Sequence, residues 1–189
     1  MDILKAELHC HNEYSNSHVG ELEPSYDCSI TIPQQLEQCY KIGLDVLFVT
    51  NHNTLDGYSA VVEYKDNHEK LKNLQVYPAE EITTNTGAHV LAYGISETIK
   101  PRLTLEAILD EVKSQDAVSS AAHPFEVFSG IREKSSLCDM IEVFNSANID
   151  IHSNVRAKQF ADKHNMIQVG GSDSHLLSTL GRCVNTIDS

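Results

Sequence analysis

Six short segments of this chain end in groups that bind metal ions or move protons. "AEL" runs into His9 and His11, "DVLFVT" into "NHN" with His52, and "LQVYPAEEI" closes on Glu80 and Glu81. "AVSSAA" is followed by His123 in "HPF", "MIEVF" by Asn145, and "MIQVGG" by "SDSH" with Asp173 and His175. One such feature alone means little, since 10 His in 189 residues give a His-x-His triplet by chance about 0.5 times. Imidazoles and carboxylates at six equivalent positions have no shared packing reason to be there, so a common metal or catalytic site is the economical account. In an extended strand residues i and i+2 leave the same face about 6.6 Å apart, so His9 and His11 can reach one ion while Cys10 faces away. Asp173 and His175 have the same spacing. Nitrogen and oxygen donors suit Zn, Mn or Fe, and a carboxylate such as Glu81 can bridge two ions.

Such a site needs a scaffold that brings six segment ends together. Seven β-rich runs occur, at residues 3–8, 45–50, 74–82, 88–95, 117–122, 140–144 and 166–171. Amphipathic stretches lie between several of them: 33–43, opened by Pro33 and closed by Gly43; 103–115, anchored by Leu103, Ile108 and Val112; and about 151–164. Strand and helix alternation with near-continuous apolar strands predicts the α/β class and parallel pairing. In such folds the carboxyl ends of the strands form one face, where ligands and catalytic groups gather. The same alternation fits both a barrel and an open sheet.

Composition sets the limits. At 41% hydrophobic and 22% charged residues the chain reads as globular, and its length predicts a single domain over 1–189. The formal net charge of −13 gives no footprint for duplex DNA. Bound cations can reverse the field locally, so phosphate chemistry stays open. Cys10, Cys28, Cys39, Cys138 and Cys183 form no Cys-x-x-Cys pair and are expected to be reduced thiols, with Cys10 and Cys39 acting as small buried hydrophobes. No run of 18 apolar residues occurs and "MDILKAEL" lacks an extended apolar core, which predicts a cytoplasmic protein with no membrane contact. The chain stops at "GRCVNTIDS" soon after its last motif, as a piece lacking a C-terminal segment would.

The segments "ELHCHNEYS", "FVTNHNTLDGY", "PAEEITTNTGAHVLAYGI", "AAHPF" and "GGSDSH", in this order, resemble the successive motifs of the PHP (polymerase and histidinol phosphatase) family. The resemblance covers nearly the whole chain. It implies a distorted (β/α)7 TIM-like barrel with two or three divalent ions, Zn, Mn or Fe, at the strand carboxyl ends. It also implies hydrolysis of phosphate esters by attack of a metal-bridging hydroxide on phosphorus. Carried over residue by residue, it places His9, His11, Glu81 and Asp173 on one ion, Glu81, His89 and His123 on a second, and His52 with His175 on a third. Glu81 rather than Glu80 matches the bridging carboxylate because it directly precedes Ile82 and Thr83. Glu80 is expected to support it or to face solvent.

Two departures bear on the third ion. Ser15-Asn16-Ser17 stands where many members carry Ser-Asp-Gly, making Asn16 a neutral, weaker ligand that His18 could replace, and Asn51 stands where Asp is usual. His123 and Asp173 are the expected catalytic ligands. Arg132, Lys134 and Arg156 are the candidate cations for the phosphate, Arg132 first because it follows His123 in the same loop. His68, His152 and His164 are expected at the surface. The implied substrate is a small phosphorylated metabolite or nucleotide, the end of an oligonucleotide included. The alternatives are a nuclease or oligonucleotide-end-processing enzyme within a larger assembly, a metal-binding regulatory module weakened by Asn16 and Asn51, and an amidase or deaminase using the same ligands.

Overall fold

The computed structural model describes residues 3–16 and 26–188, and the backbone alone of 17 and 18. All seven expected strands form: β1 (Ile3–Glu7), β2 (Val46–Val49), β3 (Gln75–Thr83), β4 (His89–Tyr93), β5 (Val118–Ala121), β6 (Met140–Asn145) and β7 (Ile167–Gly171). An eighth, β8 (Asn185–Asp188), was not foreseen. Its four residues are mostly exposed and mostly polar, so no apolar run marks it.

The sheet order is β7-β6-β5-β4-β3-β2-β1-β8, with β1–β2, β2–β3, β5–β6 and β6–β7 parallel. The expectation of parallel pairing throughout fails at β4, which is antiparallel to both β3 and β5. Only residues 84–88 join β3 to β4, with Gly87 at φ 85°, and a crossover needs about a dozen residues, so the chain must turn back as a hairpin. The reversal puts the first residue of β4, His89, at the rim where the other strands end.

The sheet curls into a nearly closed barrel whose seam joins β1 to β7. At the rim the main chains meet directly: Asp173 N donates to His9 O at 2.7 Å and His11 N to Ser174 O at 3.2 Å. Lower down β8 fills the gap, pairing antiparallel with β1 from Ile3↔Asp188 to Ala6↔Asn185. Asn185 reaches across to β7, donating to Gly170 O at 2.7 Å and accepting from Gly170 N at 2.9 Å.

Three helices follow their sequence signals. α1 (Ile32–Ile42) starts in a capping box of Thr31 and Gln34 and stops at Gly43 in left-handed backbone. The helix α2 (Asp56–Asp66) was missed, because it has no side-chain cap and buries only Gly57 and Val61, too narrow a stripe to read. α3 (Leu105–Ser114) is capped by Thr104, and α4 (Ile151–His164) by Asp150. Leu36, Cys39, Leu47, Val49 and Val61 pack α1 and α2 on one side of the barrel, while Val90, Ile108, Val112, Ile141 and Ala161 pack α3 and α4 on the other. Among the described residues no helix is long and apolar enough to cross a membrane.

Candidate metal centre

The strand period delivers the first two ligand candidates. His9 and His11 continue β1, both fully buried, while Cys10 between them turns away and donates its thiol to Phe48 O. His52 follows β2 and makes an isolated bridge to Glu81 in β3; His123 follows β5, and Asp173 and His175 follow β7. The result is a closed ring of five imidazoles with centroid spacings of 4.6 Å (His11–His52), 5.1 Å (His52–His89), 5.3 Å (His89–His123) and 5.8 Å (His123–His9), with His175 stacked on His11 beside it at 4.3 Å. His9 and His11 close it at 5.4 Å.

Glu81 stands among these rings, and its two oxygens divide them. Oε2 lies 3.2 Å from His9 Nε2, 3.1 Å from His11 Nε2 and 3.4 Å from His52 Nδ1. Oε1 lies 2.9 Å from His123 Nε2 and 3.0 Å from His89 Nδ1. Asp173 Oδ1 approaches His9 Nε2 at 3.4 Å, His11 Nε2 at 3.3 Å and His175 Nδ1 at 3.6 Å.

Several of these atoms are buried without a hydrogen-bond partner: His9 Nε2, His11 Nε2, His89 Nδ1, Glu81 Oε2 and Asp27 Oδ2. Each would cost about 1–3 kcal/mol if left so. Imidazole nitrogens and carboxylate oxygens converging with no thiolate are the donor set of a Zn, Mn or Fe centre, so these residues fit divalent ions. Three sets of ligand atoms lie within 4.8 Å of one another: His9, His11, Glu81 and Asp173; His11, Asp27, His52 and His175; and His52, Glu81 and His89.

Asp27 is the residue that sequence reasoning missed. Its Oδ1 lies 3.2 Å from His175 Nε2 and 3.9 Å from His52 Nε2, where the expected ligand Asn16 was to act. Asn16 has another job. Its Oδ1 accepts from the backbone N–H of Asp27 at 2.7 Å and of Cys28 at 2.9 Å, and its Nδ2 donates to Cys28 O at 3.0 Å. It pins the loop that carries Asp27. The only sequence signal was an acid shortly before the Pro33 helix, and the 11-residue separation from Asn16 hides it from any short motif. The side chain of His18 lies outside the described residues. Asn51 also points away from the ligands, pairing with Asn12 through Nδ2 to Oδ1 at 2.9 Å and accepting from Asn12 N at 2.9 Å.

Glu80 neither supports Glu81 nor faces solvent. It is buried on the opposite face, where its Oε2 accepts from Ile99 N at 3.1 Å, and burial pushes its carboxyl up to about 8. Arg132 is exposed and its guanidinium donates to Val127 O at 3.1 Å, within its own loop. Lys134 pairs with Glu106 at 3.0 Å and Arg156 is exposed on α4. His68 is half-buried on Tyr64, while His152 and His164 are exposed.

The charges in the ring sustain one another. Burial alone would push His9 down, but Asp173, Glu142 and Glu81 hold it well above the usual imidazole range, and Glu81 raises His123 against its burial. Burial would raise Glu81 and Asp173, yet the surrounding imidazoles, His9 first, hold both well below the carboxylate range. His52 is pushed down to about 4 by burial, with Glu81 opposing. His175 resists its burial and rises to about 9 through Asp27 and Asp173, and Asp27 in turn is held low by His175. Two ligand candidates also sit in left-handed backbone, His123 at φ 26° and Asp173 at φ 49°, a strain that functional sites commonly store.

A family model described as PHP-associated matches residues 152–189. Two uncharacterized proteins of Methanocaldococcus jannaschii are similar, one 33% identical over 60% of this chain and 52% of its own length, the other 30% identical over 78% and 85%. The chain thus spans about half of the first of these relatives. Among solved structures, PsfC of Pseudomonas syringae aligns at TM-score 0.74 with 18% identity, covering 100% of this chain and 83% of that one. A Bifidobacterium adolescentis protein described as a candidate metal-dependent phosphoesterase aligns at 0.67 with 16% identity, covering 90% and 87%. The lesion-specific endonuclease EndoQ of Pyrococcus furiosus aligns at 0.66 with 17% identity, covering 98% and 52%.

Proposed function

The chain belongs to the PHP (polymerase and histidinol phosphatase) family, and from that premise we propose that residues 1–189 form one PHP domain that hydrolyses phosphate esters with bound divalent ions. The observation that carries this reading is Glu81, one carboxylate facing five imidazoles with its Oε2 and three ring nitrogens of the cluster left without hydrogen-bond partners. His9, His11, Glu81 and Asp173 would hold one ion, and Glu81, His89 and His123 a second. His52 and His175 would hold a third together with Asp27, which replaces Asn16 in this role. Ions held by these residues would supply a water nucleophile near neutral pH and neutralise phosphate oxygens.

The chain's own residues set the geometry. Glu81 spans the strand-end and loop ligands. Asp173 is steadied by Asn145, whose Nδ2 donates to Oδ2 at 3.0 Å, so that Oδ1 stays turned to the imidazoles. His123 is oriented through its far nitrogen by Ser129 Oγ at 3.2 Å. Arg132 is the cation on the His123 loop and the candidate partner of a phosphate oxygen.

The substrate we propose is a small phosphorylated metabolite or nucleotide. The acidic surface, net −13, argues against extended contact with a duplex. A second reading, a nuclease or oligonucleotide-end-processing enzyme, draws on the fold likeness to the endonuclease EndoQ, whose complex with an abasic duplex is known. The test is a panel of phosphomonoesters, nucleotides and oligonucleotides, offered to protein stripped and reloaded with Mn, Zn or Fe. Phosphate release that is lost in His123→Ala supports the first reading. Cleavage of oligonucleotides alone supports the second, and turnover of neither leaves a metal-binding regulatory module.

A further inference from the structure

We infer that Glu142, in the middle of β6, is the positioning residue that sets the ring orientation of His9 and ties it to His123 and Asp173. The inference rests on the reading of this centre as a metal site. Glu142 is 1% exposed and touches two ligand-bearing segments directly and a third through Asn145. Its Oε1 lies 2.9 Å from His9 Nδ1, and its Oε2 accepts from His123 N at 2.6 Å and from Asn145 Nδ2 at 2.9 Å. The other hydrogen of that Asn145 amide goes to Asp173 Oδ2 at 3.0 Å. One side chain thereby braces ligands that follow β1, β5 and β7.

The chemistry of these contacts leaves little choice. A backbone N–H can only donate. The Asn145 amide cannot turn round, because its Oδ1 already accepts from Ala147 N at 2.8 Å. With both donors on Oε2 and a carboxylate oxygen at His9, one proton of that ring is held on Nδ1, so that Nε2, which faces Glu81 and Asp173, is the nitrogen that would give up its proton and offer its lone pair to an ion. An isosteric amide cannot do this. If its nitrogen replaces Oε2 it meets two donors; if it replaces Oε1 it donates to His9 Nδ1 and drives the ring proton to Nε2, where an ion would bind.

A second observation, in β7, points the same way. A β-carbon at Gly171 would overlap both Glu142 Oε1 and the His9 β-carbon. The glycine in "MIQVGG" is the space in which this pair meets, a reason that its sequence does not reveal.

The test compares wild type, E142Q and G171A, each checked for folding by its thermal melt. Zinc affinity is measured by chelator competition, and the ring protonation of His9 by nitrogen-15 spectra of the zinc-loaded protein. E142Q is expected to lose ten- to hundredfold in affinity for the ion of His9, His11, Glu81 and Asp173, the range typical of groups that orient a ligand, and to lose the Nδ1 proton signal of His9. G171A, which removes no polar group, is expected to show the same two changes. It carries the test should E142Q fail to fold. Wild-type affinity and an intact Nδ1 signal in either folded variant would overturn the inference. Wild-type protein that binds no zinc would overturn the metal reading and this inference together. Wild-type protein that binds zinc but cleaves nothing overturns only the phosphoesterase reading, since neither readout depends on turnover.

Discussion

His9, His11 and Glu81 have side chains 0–1% exposed, whereas Asp27, His52 and His175, at 14, 13 and 29%, line the more open side of the same ring, where the carboxylate, Asp27, comes from a loop rather than a strand end. Hydrogen bonds across the β1–β7 seam fix the strand-built half: Asp173 N to His9 O and His11 N to Ser174 O. In the loop-built half the segment that carries the carboxylate is held by Asn16, which accepts from Asp27 N and Cys28 N, and by Ser29, whose N–H and hydroxyl both donate to His175 O. Ligands on paired strands inherit their geometry from the sheet, while ligands on loops need a dedicated anchor. The first half should therefore bind its ion more tightly and tolerate fewer substitutions.

Glu81 is where the comparison breaks down, because it serves both halves. Glu81→Gln keeps the shape and removes the charge that the five imidazoles face. Activity is expected to fall by at least about a thousandfold, the scale of losing a central electrostatic group, with all bound metal lost in elemental analysis. Retention of one ion by this variant would mean that the halves are independent.

The strand-built half also rests on a buried acid. Glu7 Oε1 accepts from His9 N at 3.2 Å and from Ser172 N at 3.1 Å, and burial raises its carboxyl from 4.5 to about 7. A carboxyl whose folded-state pKa is raised favours folding while protonated, so that stability is lost as pH rises from 4.5 through about 7. Glu7→Gln keeps the accepting oxygen and removes the titration. Metal-free variant should be more stable than wild type at pH 8 by up to about 3 kcal/mol, with the gap narrowing toward pH 5, as measured by chemical denaturation. An equal gap at both values would show that Glu7 does not ionise between them.

Asp27→Asn separates the halves. It should remove one ion and leave the ions of Glu81 in place, with activity down by about ten- to a hundredfold. If metal content is unchanged, Asp27 is only an acid near His175.

The same division explains what the sequence could and could not tell. His9, His11, Asp173 and His175 were legible because period-2 spacing at a strand end is local, and so were the strands themselves and the helices with strong caps. Helix α2 and strand β8 were not, since neither carries a broad apolar pattern. The reversed direction of β4 follows from a loop length whose consequence is topological rather than local. Asp27 and Glu142 escaped for a common reason. Each acquires its role from neighbours far along the chain, His175 for one and His9 for the other.

The smallest expected effect probes the anchor of the loop-built half. Asn16 uses its oxygen to accept two backbone N–H groups and its nitrogen to donate to Cys28 O at 3.0 Å. Asn16→Asp preserves the first pair of contacts but sets a carboxylate oxygen against that carbonyl, so the acid that the family motif leads one to expect at this place should loosen Asp27 rather than add a ligand. Asn16→Ala removes all three contacts. Both variants should hold the third ion more weakly by about tenfold while keeping the other two, at the lower end of the range for groups that orient a ligand. Metal content after graded chelation reads this directly. A gain of metal in Asn16→Asp would show that residue 16 faces the ions after all, and the loop-built half would then owe its carboxylate to sequence position rather than to the 11-residue detour that brings Asp27 home.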